Sequence, residues 1–469
     1  MKTSPLQRLG SAVIALGLVA GFAVGHTPTA AAAVPATGEL VTNGNFDNGV
    51  AQPWWNSAGT GSRVENGQWH IDVVGGAPNP WDAQTGQSGI PLVTGRGYTL
   101  SFDASASTTV SIVATVQLGS APYTKALDQQ VTLSPGRKHY IFPFTSSIGT
   151  TGGQVTFQLG GSASGYTAYL DNISLIPSPL ALTSGFYVDP NSNPKQWVAN
   201  NGGDPRATPI SSQVANQAGA RWYGNWSGDI AAAVSSYVGA ADQADRLPML
   251  VAYNIPGRDC GSHSGGGAGS PAAYRTWISA FAQAIGARPA VVIIEPDALA
   301  QLDCLPASER AVRTDLLRYA SEQFRDYAPN AWTYLDGGNA TWIPADTMAQ
   351  RLEAAGVREI RGFAVNVSNF HTTASSITYA NAVNAALTSR YGYSRTFVVD
   401  TSRNGNGSNG EWCNPAGRKL GTPTQAGGGA ELLMWIKVPG DSDGPCGIAP
   451  NTPAGQFDPN LAIRLINGS

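Results

Sequence analysis

The stretch Ala290-Val-Val-Ile-Ile-Glu-Pro-Asp297 decides the fold. Its apolar part is short enough for a strand and unbroken enough to be buried on both faces, as strands of parallel sheets are. Two carboxylates close the run, and a core has no place for them. Similar runs recur on both sides of it: Gly185-Phe-Tyr-Val-Asp, Ala220-Arg-Trp-Tyr-Gly, Pro248-Met-Leu-Val-Ala-Tyr-Asn, Trp332-Thr-Tyr-Leu-Asp, Gly362-Phe-Ala-Val-Asn, Thr396-Phe-Val-Val-Asp and Leu432-Leu-Met-Trp-Ile-Lys. Helical patterns, such as 273–285 and 308–327, lie between several of them. Repeated β/α units with seven or eight parallel strands over residues 182–469 predict a distorted, closed β/α barrel rather than an open doubly wound sheet. No G-x-G-x-x-G follows the first run, which argues against dinucleotide binding.

The preceding part has another texture. Runs such as Tyr98-Thr-Leu-Ser-Phe-Asp, Val110-Ser-Ile-Val-Ala-Thr-Val, Lys138-His-Tyr-Ile-Phe-Pro-Phe and Gln154-Val-Thr-Phe-Gln-Leu alternate in polarity and are separated by turn residues. They predict an all-β jelly-roll sandwich over residues 39–177. The segment Ile176-Pro-Ser-Pro-Leu-Ala181 then joins it to the barrel; it is too short for a long tether, so the domains are expected to sit close together. At the N-terminus, Lys2 and Arg8 precede an apolar stretch over 11–25 and an alanine run ending at Ala33. Residues 1–33 therefore read as a signal peptide, and a secreted, extracellular protein is expected.

Charge excludes some partners. Lys and Arg number 28 against 31 Asp and Glu, giving a net charge of −3 with no long run of either sign. Neither nucleic acid nor an anionic membrane is an expected partner. The four cysteines, Cys260, Cys304, Cys413 and Cys446, form no C-x-x-C, and the histidines form no H-E-x-x-H. No metal or other cofactor is expected. In an exported chain four cysteines suggest two disulfides, with three possible connectivities, of which sequential pairing is expected.

In a parallel barrel the C-terminal strand ends share one face, and chemistry is built there. Those ends carry Tyr253, Glu295, Asp297, Asp336, Asn366, Asp400 and Lys437, with Asp259, Asp441 and Asp443 just beyond. Any one aspartate reads equally well as a helix cap or a solvated loop residue; so many carboxylates on one face do not. Carboxylates without metal ligands, together with abundant tryptophan, point to glycoside hydrolysis, in which one carboxyl protonates the leaving oxygen and another handles water or attacks the sugar. Trp222, Trp342 and Trp435 flank strand ends, where an indole serves either as core or as a platform for a sugar ring.

The strings Tyr253-Asn-Ile-Pro-Gly-Arg-Asp-Cys-Gly261, Glu295-Pro-Asp297, Tyr334-Leu-Asp-Gly-Gly338, Asp400-Thr-Ser-Arg-Asn-Gly-Asn-Gly407 and Trp435-Ile-Lys-Val-Pro-Gly440 together resemble the cellulases of glycoside hydrolase family 6. The resemblance implies cleavage of β-1,4-glucan with inversion at the anomeric carbon. By position it implies Asp297 as general acid, Asp259 as the partner that keeps it protonated, Tyr253 against the distorted sugar, and Asp443 as the favoured base. It further implies sugar contacts from Trp222, Asp336, Asn366, Trp342, Trp435, Lys437 and Asp441, and disulfides beside Asp259 and between the last two motifs. Asn339 stands where the family commonly has a sugar-contacting histidine, and Asp441 where glutamate is usual. Glu295 belongs to the motif but reads as structural. The loops around 403–431 and 440–457 are short, so an open cleft and endo action on cellulose are expected. A chain-end-acting cellobiohydrolase and a non-catalytic glucan-binding protein on a retired barrel are the alternatives.

In the sandwich, Leu40-Val-Thr-Asn-Gly-Asn-Phe46, Trp54-Trp55, Asn79-Pro-Trp-Asp-Ala-Gln84 and Tyr169-Leu-Asp-Asn-Ile-Ser-Leu175 resemble carbohydrate-binding modules of families 4 and 9. That resemblance implies a cleft holding single glucan chains, with Trp55, Trp81, Gln84, Gln117 and Gln158 as candidates for stacking and hydroxyl contacts. A monomer is expected.

Overall fold

Alternating polarity is what builds the first domain of the computed structural model, which describes residues 38–469; the expected signal peptide lies outside the described residues. Ten strands are formed: β1 (Trp55–Asn56), β2 (Thr60–Glu65), β3 (Gln68–Val73), β4 (Gln84–Leu92), β5 (Gly97–Ala106), β6 (Val110–Leu118), β7 (Lys125–Leu133), β8 (Lys138–Thr145), β9 (Thr150–Gln158) and β10 (Tyr166–Pro177). They pair antiparallel in two five-stranded sheets, β1-β4-β9-β6-β7 and β2-β3-β10-β5-β8. In β5, Leu100, Phe102 and Ala104 point inward, whereas Thr99, Ser101 and Asp103 lie on the outer face, as a two-residue period requires. Phe102 meets Phe157 of the facing sheet edge to face, with centroids 4.9 Å apart. The Trp54-Trp55 pair is divided by the same period. Trp54 is core, its indole donating to the carbonyls of Thr42 and Asn43, while Trp55 lies on the outer face over Gly86.

The second domain is a curled sheet wrapped by helices. Its strands are β11 (Arg221–Tyr223), β12 (Met249–Ala252), β13 (Ala290–Ile294), β14 (Ala331–Asp336), β15 (Gly362–Val365), β16 (Thr396–Asp400), β17 (Gln425–Ala426) and β18 (Leu432–Met434), in the order β11-β12-β13-β14-β15-β16-β18-β17. Every pairing is parallel except that of β17 with β18. The opening stretch explains itself: Val291 and Ile293 fill the barrel interior with Val251 and Tyr334, whereas Val292 and Ile294 pack outward against helices 271–285 and 307–327.

Two details differ from the closed barrel expected. The run at Gly185 makes only an isolated bridge, Phe186 to Leu247, because Pro190 lacks an N–H to continue a ladder and Asp189 turns the chain by accepting from the Asn191 N–H. Between β11 and β18 there is no ladder. The seam is held by the Ala220 N–H on the Trp435 carbonyl (2.9 Å) and the Trp222 indole on the Ile436 carbonyl (2.8 Å). Seven parallel strands thus form a barrel open along one seam.

The described residues fall in one compact unit that includes both domains. The connection between them is pinned along its length: Ser178 N–H donates to Gly97 in the sandwich, Leu180 packs on the barrel interior, and Ser184 N–H donates to Asp245. Arg361, just before β15, pairs with Glu431 in the barrel floor and donates to Thr99 of β5. Among the described residues no helix is long and apolar enough to cross a membrane.

Candidate active site

Backbone strain gathers where the barrel strands end. Glu295 and Asp297 have φ of 48° and 69°, Asp259 54° and Asn366 68°. Non-glycine residues rarely adopt this left-handed region, and such strain collects where function dictates geometry. Glu295 is buried, and its carboxylate takes the N–H groups of Asn254 and Ile255, each at 2.9 Å. It ties β13 to the loop after β12 that carries Asp259, which is the structural role read from the sequence. Burial pushes its pKa up to about 7.

Asp297 is half-buried, and its N–H donates to Asp336 Oδ2 at 2.9 Å. Its pKa lies well above the usual carboxylate range, first because it is desolvated and then because Asp336, Asp259 and Asp443 surround it; Lys437 opposes the shift. A carboxyl held neutral in this way is a proton donor near neutral pH. Asp259 stands alongside on its loop. Its Oδ2 accepts from the Ser264 N–H and hydroxyl (2.9 and 2.8 Å), and its Oδ1 from Gln301 Nε2 (3.1 Å). Tyr253 exchanges a hydrogen bond with the same Ser264 hydroxyl at 3.0 Å. Its ring meets Trp222 edge-on, with centroids 5.2 Å apart, and the Arg258 guanidinium lies 5.0 Å from its centre.

Asp443 has the opposite environment. Burial would raise its pKa, but Arg403, bound to both carboxylate oxygens at 3.0 and 2.8 Å, and Lys437, 3.3 Å away, hold it below the usual range. The Asn414 N–H adds a third partner at 3.1 Å. One carboxyl is thus kept neutral and another ionised on one face of the barrel, the division of labour that acid and base catalysis need.

The residues expected to touch sugar divide by exposure. Trp342 is 40% exposed, and Trp222 and Lys437 are half-buried beside the carboxylates. Asn339 and Asp441 keep narrow exposure; Asn339 Oδ1 accepts from the Thr341 N–H, and Asp441 Oδ2 from Asn193. Burial raises the Asp441 pKa to about 7. The other three are more deeply enclosed. Asn366 is fully buried and spends its amide on the His371 and Asp400 backbone, while Trp435, 2% exposed, donates to the Thr422 carbonyl. Asp336, also 2% exposed, lies beneath Asp297 and positions its N–H. All three are hydrogen-bonded into the framework at the strand ends.

Sequence reasoning missed Arg403, although it lies inside a quoted motif, because nothing local says which carboxylate it pairs with. It also missed the exposed indoles Trp226 and Trp412. Trp412 approaches His263 to 6.0 Å, and His263 packs flush on Gly444, so the loops carrying Asp259 and Asp443 touch. The run Gly440-Asp-Ser-Asp-Gly444 has the spacing of a serine-hydrolase elbow. Ser442 is nevertheless fully buried, its hydroxyl donating to the Gly444 carbonyl, and it is no nucleophile. Both expected disulfides, Cys260–Cys304 and Cys413–Cys446, are formed. His263 lies near the second, whose sulfurs are bonded to each other and offer no thiolate to a metal.

Residues 182–469 match the family described as Glycosyl hydrolases family 6. The chain belongs to that family. Residues 38–165 match a carbohydrate binding domain. Among similar curated proteins, Endoglucanase 1 of Streptomyces halstedii is 56% identical over 62% of this chain and 91% of its own length. Endoglucanase A of Cellulomonas fimi is 44% identical over 60% of this chain and 61% of its own. The solved endoglucanase Cel6 of Mycobacterium tuberculosis, in complex with a thio-linked cellobioside, superposes with a TM-score of 0.57 at 40% identity, covering 62% of this chain and 99% of its own.

On the sandwich, the candidates share the outer face of the β1-β4-β9-β6-β7 sheet. Gln84 pairs with Gln158 across β4 and β9, Gln117 with Gln154 across β6 and β9, and Trp55 covers Gly86 at the edge. Trp81, 56% exposed, and Tyr123, 52% exposed, stand on flanking turns. Gln154 and Tyr123 escaped sequence reading, since only strand register reveals which glutamine faces Gln117. The Gln117 Oε1 is buried without a hydrogen-bond partner, which is costly unless a ligand supplies one.

Proposed function

We propose that the protein is a secreted endo-β-1,4-glucanase that cleaves cellulose chains with inversion, and that its sandwich binds glucan. The observation that carries this reading is the pair of opposed carboxyl environments, Asp297 kept neutral by burial and neighbouring aspartates and Asp443 kept ionised by Arg403 and Lys437. Asp297 donates its proton to the glycosidic oxygen as the bond breaks. A water on the opposite face of the sugar attacks the anomeric carbon, giving its proton to Asp443. Asp259 sustains the charge pressure on Asp297, and Ser264 links it to Tyr253, against which the sugar at the cleavage point rests. Trp222 and Trp342 offer ring faces along the cleft. The endo mode is supported by relatives named endoglucanases. Two disulfides support an oxidising, extracellular destination.

The test is hydrolysis of a soluble substituted cellulose with viscosity and reducing ends followed together. Endo action collapses viscosity before many ends appear; cellobiose release at nearly constant viscosity overturns it.

A further inference from the structure

The glucan face of the sandwich and the catalytic cleft lie at opposite ends of the molecule. The sandwich meets the barrel through the outer face of its other sheet, β2-β3-β10-β5-β8, where Thr99 accepts the Arg361 guanidinium and a cavity of about 470 Å³ lies between Asp103 and His139 on one side and Arg325 and Trp332 on the other. These barrel residues belong to its N-terminal end. The strand β14 measures the separation: Ala331 and Trp332 border this cavity, and Asp336 at its other end underlies the acid. Six residues of strand span about 20 Å, and the two packed sheets of the sandwich add about 10 Å before its far face is reached.

The far face is the one with open polar valences. Gln84, Gln117, Gln154 and Gln158 lie on it, as does the orphaned Gln117 Oε1, and it points away from the barrel. Nothing in the connection lets the sandwich swing round to the cleft. Ser178 is bonded to the sandwich and Ser184 to the barrel, with Leu180 packed between, and Arg361 fastens the second point of contact.

From this back-to-back arrangement we propose that the protein grips two glucan chains at once, one in the cleft and a separate one on the sandwich. The sandwich does not lengthen the cleft; it anchors the enzyme to a neighbouring chain, so that cleavage falls on a strand other than the one held. A straight chain lying on one face cannot enter the other site, and the fixed linkage turns two weak sites into a bridge between polymers. This rests on the glucan-binding reading of the sandwich.

The full chain carrying Asp297→Ala, which slows hydrolysis of glucan by about 10²-fold or more, serves as the test molecule, and binding is read before turnover becomes appreciable. Calorimetry with cellotetraose, too short to reach both sites, first counts the sites. Light scattering then follows a high-mass soluble hydroxyethyl cellulose as protein is added. The expected result is two oligosaccharides bound per protein and a several-fold rise in apparent particle mass that peaks and then falls at protein excess, when each molecule saturates its own chain. Adding Trp55→Ala and Gln158→Ala abolishes the rise and leaves one oligosaccharide per protein with an unchanged melting temperature. Two bound oligosaccharides without any rise in mass overturn the proposal, because both sites then serve one chain. One bound oligosaccharide, located in the cleft by its persistence in the Trp55→Ala, Gln158→Ala protein, overturns the glucan-binding reading of the sandwich and the proposal with it.

Discussion

Arg403→Met tests the assignment of Asp443 most directly. Both members of the pair are nearly inaccessible, their side chains 4% and 6% exposed, so solvent screening does little to weaken it. The guanidinium also stacks 4.3 Å from the centre of Phe370, against which a methionine can pack without leaving a cavity. With Arg403 gone, Asp443 keeps Lys437 at 3.3 Å and the Asn414 N–H, but its burial is no longer balanced. An adjacent arginine commonly depresses an aspartate by about 1–3 pH units, so the Asp443 pKa is expected to rise by about that much. If Asp443 accepts the proton of the attacking water, it must be ionised, and the acidic limb of the kcat/KM profile moves up by the same interval. On the acid side of the limb each unit costs about tenfold in rate, with recovery as pH rises. Arg403→Lys keeps the charge but loses the two-oxygen contact and falls between. The assay is a pH–rate profile on soluble cellulose, with thermal melting at each pH to separate unfolding from titration. An acidic limb that stays in place in a folded Arg403→Met protein removes Asp443 from the role of base.

Asp297→Ala is expected to cost about 10²-fold or more on glucan, whose leaving group needs a proton, and far less on an aryl cellobioside whose leaving group is already acidic; equal losses on both substrates reassign the residue to binding. Gly444→Ala places a Cβ about 2.5 Å from His263 and strains a backbone at φ 146°, so the contact between the Asp259 and Asp443 loops must open; kcat is expected to fall and His263→Gly in the same chain to restore only the part due to that contact, and an unaffected kcat in Gly444→Ala refutes the idea that the contact matters. Stability should also depend on pH with an unusual sign. Glu295, Asp336 and Asp441 have folded pKa values raised to about 7, so between that value and the unfolded one the native state holds protons that the unfolded chain has lost. Melting temperature is therefore expected to rise as pH falls from 8 to about 5, and to drop only below, where depressed groups such as Asp443 are forced to protonate. Calorimetry showing the highest melting point above pH 7 contradicts this.

Strand period made most of the fold legible. A run such as Val291 to Ile294 has nowhere to go but between helices and a barrel interior, and the alternation in β5 assigns Thr99 and Asp103 to an outer face before any contact is known. What periodicity does not encode is the seam. Whether β11 meets β18 in a ladder depends on how far the whole sheet curls, a sum over every pairing. In the site, residue type identified the carboxylates, but not how far each is exposed. Asp336, Asn366 and Trp435 sit at strand ends like their neighbours, yet side-chain direction turns them into the protein, and chain position alone cannot report that. Arg403 is the converse case, a decisive charge whose partner lies 40 residues away.

The two carboxyls nearest the acid that do not face the cleft explain how its position is kept. A left-handed non-glycine residue costs of order 1–3 kcal/mol, and both Glu295 and Asp297 adopt that conformation around Pro296, so the turn persists only because neighbours over-determine it. Asp336 does so from below, accepting the Asp297 N–H, and Glu295 from the side, accepting two N–H groups at the start of the loop that carries Asp259. Asp297, the proposed acid, and Asp259, one of the aspartates that raise its pKa, are therefore positioned through one short stretch of chain. A shift of β13 relative to β12 displaces both together, which preserves the like-charge pressure on which the acid's proton depends. Glu295 and Asp297 close the opening strand as a pair for that reason: one fastens the loop, and the other is the proposed acid whose place the fastening keeps.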